Sequence, residues 1–418
     1  MSDKVPRGRG HGSRQVILDA ALGLAAARGY VGTTMALVRR ATQLPPSSLY
    51  WHFSNKDELL AEALEHGHAR WRRGGRRWAP ATDGEDLREA LLANIRRTTS
   101  GTGDAKADWW RMGLILAIES GPTVGDGPRE RFLRIRAQVR AEFEQWWSQA
   151  TDLPSAHVKT IAQLTLAAHD GLFVHLQTDE NADLDPLLRR LADGLVEIAD
   201  HLRDAPEVSP AVAARPPMTY EIGSSSRERL IAAALEVAAE SGYEGASISR
   251  ICATAGMRAS SVYWHFENKD DLFSAAVDDS YRAWHRAQSS WLPLGADVDR
   301  ATDLPVMLTP LVASLRDLPP FLRIGLMLVL PKRAEPLPGR DRFVAVRHQT
   351  RDDLARWIRG ALEVDPPDAE EMATLLVSIG DGLLFAEALD GTDMPPETTS
   401  DLLAHLIMAR SFHAQSSH

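Results

Sequence analysis

A fourteen-residue stretch occurs twice in this chain. Residues 47–60 read SSLYWHFSNKDELL and residues 260–273 read SSVYWHFENKDDLF, with ten positions identical at a spacing of 213. Similarity at one fixed spacing marks a duplicated unit. The period is far too long for a solenoid repeat, so the chain must divide into two related, domain-sized halves. A length of 418 residues leaves room for both.

The repeat continues beyond the stretch. Trp71, Trp78 and Pro80 match Trp284, Trp291 and Pro293 at the same spacing. WWRMGL (109–114) matches FLRIGL (321–326) at 212, and Asp170-Gly171-Leu172 matches Asp381-Gly382-Leu383 at 211. Small changes of spacing are loop-length changes, so the whole unit is doubled. Ile17, Ala20, Ala21, Leu24 and Ala25 share one helical face, and most of the chain reads as amphipathic helix without a convincing strand. The expected class is all-α, in two tandem units. Ser13 is the expected cap of the first helix, with Ser226 as its match, and Gly29 its end. Thr33 or Thr34 caps a second helix, with Ser247 matching Thr34. Pro45 leads into a third near 46–51, and Asn55 with Glu58 resembles a capping box opening a fourth. The second unit has Ala255-Gly256 at its tight bend, where the first has Thr42-Gln43. Gln43 is therefore expected in a conformation that glycine accepts more easily. The division expected is a basic disordered arm (1–12), a first helix-turn-helix domain (13–58), a first helical body (59–203), a Pro/Ala-rich linker (204–222), a second helix-turn-helix domain (223–271) and a second body (272–413).

The net charge of −10 opposes nucleic-acid binding only when averaged over the chain. Residues 1–56 carry eight Lys/Arg against two Asp, whereas 213–269 hold six Lys/Arg and six Glu. The first unit thus has the stronger pull on phosphates, and Arg7, Arg9 and Arg14 are expected to form its arm. A single cysteine, Cys252, rules out an intramolecular disulfide. With no apolar leader and no stretch expected to span a bilayer, a cytoplasmic protein is expected.

Two helices joined by a tight turn, the second short and rich in small polar and aromatic side chains, suit the DNA major groove. Ser47, Ser48, Ser260 and Ser261 let a helix approach closely. Tyr50, Tyr263, His52 and His265 can donate to phosphates. Lys56 and Lys269 stand at helix N-termini, where ammonium and amides both attract phosphate. Trp51 and Trp264 can pack on sugar or a thymine methyl, while Phe53 and Phe266 suit the core. These features resemble the DNA-binding domain of the tetracycline-repressor (TetR) family: Gly29-Tyr30 and Leu49-Tyr50-Trp51-His52-Phe53 with Asn55-Lys56, then Gly242-Tyr243 and Val262-Tyr263-Trp264-His265-Phe266 with Asn268-Lys269. The resemblance covers about fifty residues per unit. It implies a three-helix head, a larger helical body with a small-molecule pocket, dimer-forming final helices, and a repressor that leaves DNA when ligand binds. Family members normally pair as one-unit chains. Here the expected state is a monomer whose two units form an intramolecular pseudo-dimer, helices near 156–176 and 184–203 packing on those near 367–389 and 398–412.

The heads differ where bases would be met. Thr34, Leu37, Pro45 and Pro46 in the first face Ser247, Arg250, Arg258 and Ala259 in the second. Arginine can take a guanine edge with two bonds, whereas proline and leucine offer apolar contact only. An asymmetric double-stranded operator with unlike half-sites is expected. For an apolar or aromatic effector the candidate contacts are Trp109, Trp110, Met112, Trp146, His169 and Phe173 in the first body, and Met327, His348, Trp357 and Phe385 in the second. A plain helical core uses the same residue types. Arg111 and Arg323 could hold a ligand anion or a structural pair, and Asp170 and Asp381 suit a structural role. No phosphate loop, nucleophile elbow or metal-ligand spacing is present, since His66/His68 lack further ligands, and neither catalysis nor a cofactor is expected. The alternative is a protein that sequesters a drug or a partner with weakened DNA binding.

Overall fold

The computed structural model describes residues 7–82, 84–100, 105–119, 125–205, 225–288, 303–315, 318–333, 337–391 and 394–409. Among them all regular structure is helical. The first unit runs α1 (Arg7–Arg28), α2 (Met35–Thr42), α3 (Pro46–His52), α4 (Lys56–Arg73), α5 (Leu87–Thr99), α6 (Asp108–Ile118), α7 (Asp126–Ala150), α8 (Ser155–Thr178) and α9 (Asp185–Asp204). The second repeats it as α10 (Ser226–Gly245), α11 (Ile248–Ala255), α12 (Ala259–Val262), α13 (Lys269–Gln288), α14 (Asp303–Leu315), α15 (Pro320–Val329), α16 (Pro338–Leu362), α17 (Pro366–Asp390) and α18 (Pro396–Met408). The expected linker falls almost wholly outside the described residues, as do Trp291 and Pro293.

Several local expectations hold. Thr34 Oγ1 accepts from Leu37 N at 3.2 Å, and Ser247 Oγ from Arg250 N at 3.3 Å. Gly29 (φ 70°) closes α1, and Gly242 (φ 66°) breaks α10 at the matching place. Gln43 takes the left-handed conformation (φ 54°) that Gly256 takes in the second unit (φ 64°). The box at α4 is displaced by one residue: Asn55 Oδ1 accepts from Glu58 N at 2.9 Å, but Glu58 returns to Ser54 N at 2.8 Å. Asn268, Asp271 and Glu267 repeat that displaced pattern. Three expectations are corrected. First, α1 begins at Arg7, so residues 7–12 are helical and Ser13 is no cap. Secondly, α10 is capped by Ser225, whose hydroxyl and Glu228 form a reciprocal box, leaving Ser226 in the first turn. Thirdly, α17 is long and apolar enough to cross a membrane by length and composition. Its apolar character has another cause, since it lies in the middle of the body with 72% of that window buried.

Core organisation explains why the units stay together. Apolar side chains form two buried clusters, and both clusters draw on both units. One joins the two heads through α4, α6, α13 and α15; Leu22, Leu64 and Leu114 share it with Leu230, Phe273 and Leu326. The other joins α5, α8 and α9 to α14, α17 and α18. Helix α8 crosses α17 backbone on backbone. A Cβ on Gly171 would stand 1.8 Å from Ser378 O, and one on Gly382 would stand 1.7 Å from Ala167 O. Only glycine admits so close an approach.

Polar contacts repeat the same pseudo-symmetry. Arg129 donates to Ala388 O at 2.9 Å, and its counterpart Arg340 donates to Gln177 O at 3.0 Å. Gly113 and Gly325 each seat a phenylalanine ring, Phe132 and Phe343, 2.0 Å from where a Cβ would be. Arg190, 2% exposed, reaches across from α9 to Asp368 (2.7 Å) and Glu371 (3.0 Å). Such an arginine is costly to bury alone, so its two carboxylates fix how the units dock.

Candidate nucleic-acid interface and ligand cavity

Each head presents one short helix after its left-handed turn. Pro45, Pro46, Ser47, Tyr50 and Trp51 are exposed on α3, with Ser48 half-buried. Arg258, Ala259, Ser260, Tyr263, Trp264 and His265 are exposed at α12, with Ser261 half-buried. Trp51 is 77% exposed and Trp264 85%. Exposure of a large aromatic costs hydrophobic stabilisation, and here it occurs at the same place in both heads. Leu49 and Val262, Phe53 and Phe266 turn the other way and are buried. The helices are unequal, since α12 is a single turn whereas α3 spans seven residues. Arg250 is exposed and donates to Gly245 O at 3.1 Å.

The two lysines behave differently from expectation. Lys56 and Lys269 do begin α4 and α13, but their ammonium groups turn inward. Lys56 Nζ donates to Tyr30 O at 3.1 Å and lies 3.6 Å from the Tyr30 ring centre; Lys269 Nζ donates to Tyr243 O at 2.6 Å and lies 3.9 Å from the Tyr243 ring centre. Burial holds both below the usual lysine range. Tyr30 and Tyr243 in turn donate to Asp57 and Asp270. These lysines therefore brace the head, tying the end of α1 to α4 and the end of α10 to α13. His52, half-buried, has its pKa lowered by burial and by the Arg14 charge. Arg14, expected in a free arm, sits within α1 and pairs with Glu62.

The heads meet at one buried carboxylate that the sequence did not single out. Glu119, 5% exposed, accepts from Tyr30 N at 3.1 Å. A Cβ on Gly29 would lie 2.3 Å from its Oε1, and one on Gly242 2.5 Å from the same atom. The carboxylate thus fills the gap between the last turns of α1 and α10. Burial raises its pKa from 4.5 to about 7, against the Tyr30 hydrogen bond and the Lys56 charge.

Two apolar cavities occupy matching places in the bodies and differ greatly in size, and the first body also has a polar cleft of about 350 Å³ at Glu65, Arg72, Arg77 and Arg131. In the second unit the apolar cavity measures about 380 Å³, lined by Tyr281, Trp284, Phe321, Leu322, Thr350, Leu354, Trp357 and Gly380, with Arg347, Asp353 and Asp381 as polar groups. In the first it is about 60 Å³, between Trp71, Trp78, Trp109, Trp110, Phe143 and His169. The matched positions explain the contrast. Where the first unit has Trp109, Trp110, Phe143 and His169, the second has Phe321, Leu322, Leu354 and Gly380. In the first unit the bulk is also locked. Trp110 donates to Asp170 at 2.7 Å, and His169 contacts Thr98 Oγ1 at 2.9 Å and Thr165 O at 2.7 Å. Burial lowers the His169 pKa to about 4, keeping the ring neutral.

Of the candidate ligand contacts, Trp357 lines the larger cavity, and Trp109, Trp110 and His169 line the smaller. Trp146 stacks edge-on against Trp78 at 5.1 Å. Met112, Phe173, Met327 and Phe385 are core residues outside both linings, and His348 lines a separate shallow cleft. Helical spacing could not tell a core face from a cavity face, because both are apolar. Tyr281, Trp284 and Gly380 were missed, although the Trp-to-Phe, Trp-to-Leu and His-to-Gly changes were visible in the repeat. Arg111 is structural: it donates to Leu330 O in the second unit and to Gln177 Oε1 at 2.6 Å. Asp170 and Asp381 likewise pair with Arg136 (2.6 Å) and Arg347 (2.7 Å). Trp357 Nε1 is buried without a partner at the edge of the cavity.

Two segments, residues 17–63 and 230–276, match the sequence family described as bacterial regulatory proteins, tetR family. Solved structures with similarity include a transcriptional regulator from Rhodococcus sp. Rha1, 26% identical, covering 44% of this chain and 96% of that one, with a TM-score of 0.34. A TetR-family transcriptional regulator from Cytophaga hutchinsonii is 18% identical, covering 49% of this chain and all of that one, with a TM-score of 0.38. Both tetR-family matches fall on helix-turn-helix heads with exposed reading helices, so this chain is a DNA-binding regulator of the tetR family with two family units in tandem.

Proposed function

We propose that this protein is a ligand-responsive repressor that binds an asymmetric, pseudo-palindromic operator as a single-chain pseudo-dimer. The observation that carries the reading is the pair of unlike heads on one shared body. Linking the heads through common cores gives them a fixed spacing and a high effective concentration for each other's half-site. Leu37, Pro45 and Pro46 on one side, and Arg250, Arg258 and Ala259 on the other, then read different sequences, with Thr34, Ser47, Ser48, Tyr50, Trp51 and His52 and their counterparts Ser247, Ser260, Ser261, Tyr263, Trp264 and His265 gripping the backbone. Lys56 and Lys269 support those contacts by bracing each head. Because the partner surface is already supplied in the chain, the protein works as a monomer.

The effector is an apolar or aromatic small molecule in the second-unit cavity. A volume of about 380 Å³ falls in the range of small-molecule sites. Trp284, Phe321 and Trp357 supply flat apolar walls, and the unpartnered Trp357 Nε1 offers a donor to a ligand acceptor. The first-unit site is filled by its own tryptophans and serves as a structural core.

Selection of binding sites from random duplexes with the purified chain tests the operator; recovery of a perfect palindrome would refute unlike half-sites. Leu322→Trp places in the second unit the side chain that fills the first at Trp110. It should abolish effector-induced release from DNA while leaving operator affinity in place. Retained release would put the effector elsewhere. A chain that binds ligand tightly but shifts no operator DNA would favour the sequestering alternative.

A further inference from the structure

Two facing helices of the shared body each carry an acid and a histidine one turn apart. Helix α9 has Glu197 and His201, and α18 has Asp401 and His405. Residues four apart on a helix lie on the same face, and the two faces meet. His201 Nε2 is 2.8 Å from Asp401 Oδ2, and His405 Nε2 is 4.0 Å from Asp401 Oδ1. The two imidazole rings stack with centres 3.8 Å apart and planes 25° apart. Donor atoms of the three residues all lie within 4.8 Å of one another. Glu197 acts electrostatically on His405 from the opposite helix. Among the described residues no lysine or arginine is paired with Asp401.

Two imidazoles and one carboxylate converge here without an arginine or lysine on Asp401, and the Glu197 charge acts on His405 from the facing helix. Neutral imidazole and carboxylate are the ligands of borderline first-row metals such as zinc, whereas calcium and magnesium prefer all-oxygen sets. In a tetrahedral zinc site, bonds of about 2.0–2.1 Å put neighbouring donors about 3.4 Å apart. The 2.8 Å and 4.0 Å separations straddle that value. The three side chains are half-buried, so an ion can reach them while most of its surroundings stay ordered.

We propose that His201, Asp401 and His405, with Glu197 as a fourth donor, form a binding site for a divalent first-row metal ion such as Zn²⁺ that bridges the two units. The donors come from both halves of the chain, so the ion clasps α9 to α18. The stacked rings splay when their nitrogens turn toward a common ion. This site is separate from the effector cavity and does not depend on the effector reading.

Titrating chelator-treated full-length protein with Zn²⁺ tests the site by calorimetry. One ion per chain is expected here, and Zn²⁺ should raise the thermal midpoint. His405→Gln and His201→Gln should each weaken binding by at least about tenfold, the smaller loss seen when even an outer partner of a metal site is removed, and the Zn²⁺-dependent rise in midpoint should vanish. Co²⁺ gives a readout that needs no variant, since intense visible bands of a tetrahedral nitrogen–oxygen site are expected in the wild-type chain. Absence of Zn²⁺ binding, absence of those bands, or wild-type affinity in the His201→Gln/His405→Gln double variant would each overturn the proposal.

Discussion

Alanine at the α8–α17 crossing is the sharpest probe of the shared body. The Cβ of Gly171→Ala would start 1.8 Å from a backbone carbonyl, and that of Gly382→Ala 1.7 Å from another. Ordinary contact begins at 3.4 Å, so the helices must part by about 1.6 Å. A carbonyl in a helix cannot swing aside as a side-chain tip can. A gap of about 0.5–1 Å already forfeits a quarter to a half of the dispersion well, and the crossing lies in the body core. Each substitution should therefore cost about 3 kcal/mol, at the upper end of overpacking, net of the ~1 kcal/mol alanine gains over glycine in a helix. The second alanine enters space already opened by the first, so the double variant should cost well short of the sum. Gly23→Ala and Gly360→Ala are the controls. Both are helical with nothing within 4 Å, and each should gain about 0.5–1 kcal/mol. Equilibrium guanidinium unfolding of the full chain reads all five. Costs below ~0.5 kcal/mol, or strict additivity at the crossing, would refute direct backbone packing between the units.

Glu119 should give the protein a pH-dependent stability. Its folded pKa of about 7 lies above the ordinary 4.5, so its protonated form contributes stability that is complete below pH 4.5 and lost as pH rises through 7. The full loss is about 3 kcal/mol, and Glu119→Gln should remove that part of the slope in unfolding curves taken from pH 5 to 8. The left-handed turns predict a reciprocal pair. Gln43→Gly should stabilise by about 1 kcal/mol and Gly256→Ala should destabilise by a similar amount, read from thermal or denaturant midpoints. Arg258→Ala should cost roughly 1–3 kcal/mol of operator affinity and relax one half-site only; equal relaxation at both half-sites in a gel-shift series would count against unlike reading heads.

Much of the architecture could be read from the chain because duplication repeats every local signal. Thr34 and Ser247 cap equivalent helices, and Gln43 was picked out for a backbone conformation that its glycine counterpart revealed. The start of α1 was misjudged because residues 7–12 carry no apolar period, although the backbone continues helically through them. Ser225 was passed over for Ser226 because adjacent serines give the same composition signal, and only the Glu228 contact separates them. The inward lysines needed coordinates. From sequence, a lysine at a helix N-terminus suggests phosphate, but Tyr30 and Tyr243 offer both a carbonyl and a ring within reach. The His201–Asp401–His405 cluster was invisible for a simpler reason: its histidines lie about 200 residues apart, on helices of different units.

Fusion of the two units lets each position diverge from its counterpart, which a homodimer of identical chains forbids. In a homodimer, a tryptophan that fills one pocket fills both. Here Trp109, Trp110, Phe143 and His169 consolidate one body, while Phe321, Leu322, Leu354 and Gly380 keep about 380 Å³ open in the other. The closed body supplies stiffness, because the Trp110 indole and His169 are hydrogen-bonded in place. The open body leaves its space between α13, α14, α16 and α17. The two are joined at Gly171, Gly382, Arg190 and the backbone donations from Arg129 and Arg340, so a shift of α17 cannot leave α8 in place. Glu119 carries the same coupling to the far end, where one carboxylate touches the last turns of both reading heads. Under the proposed function, a ligand in the open cavity acts on the spacing between the two heads, and the asymmetry of the cavities is matched by the asymmetry of the exposed head surfaces.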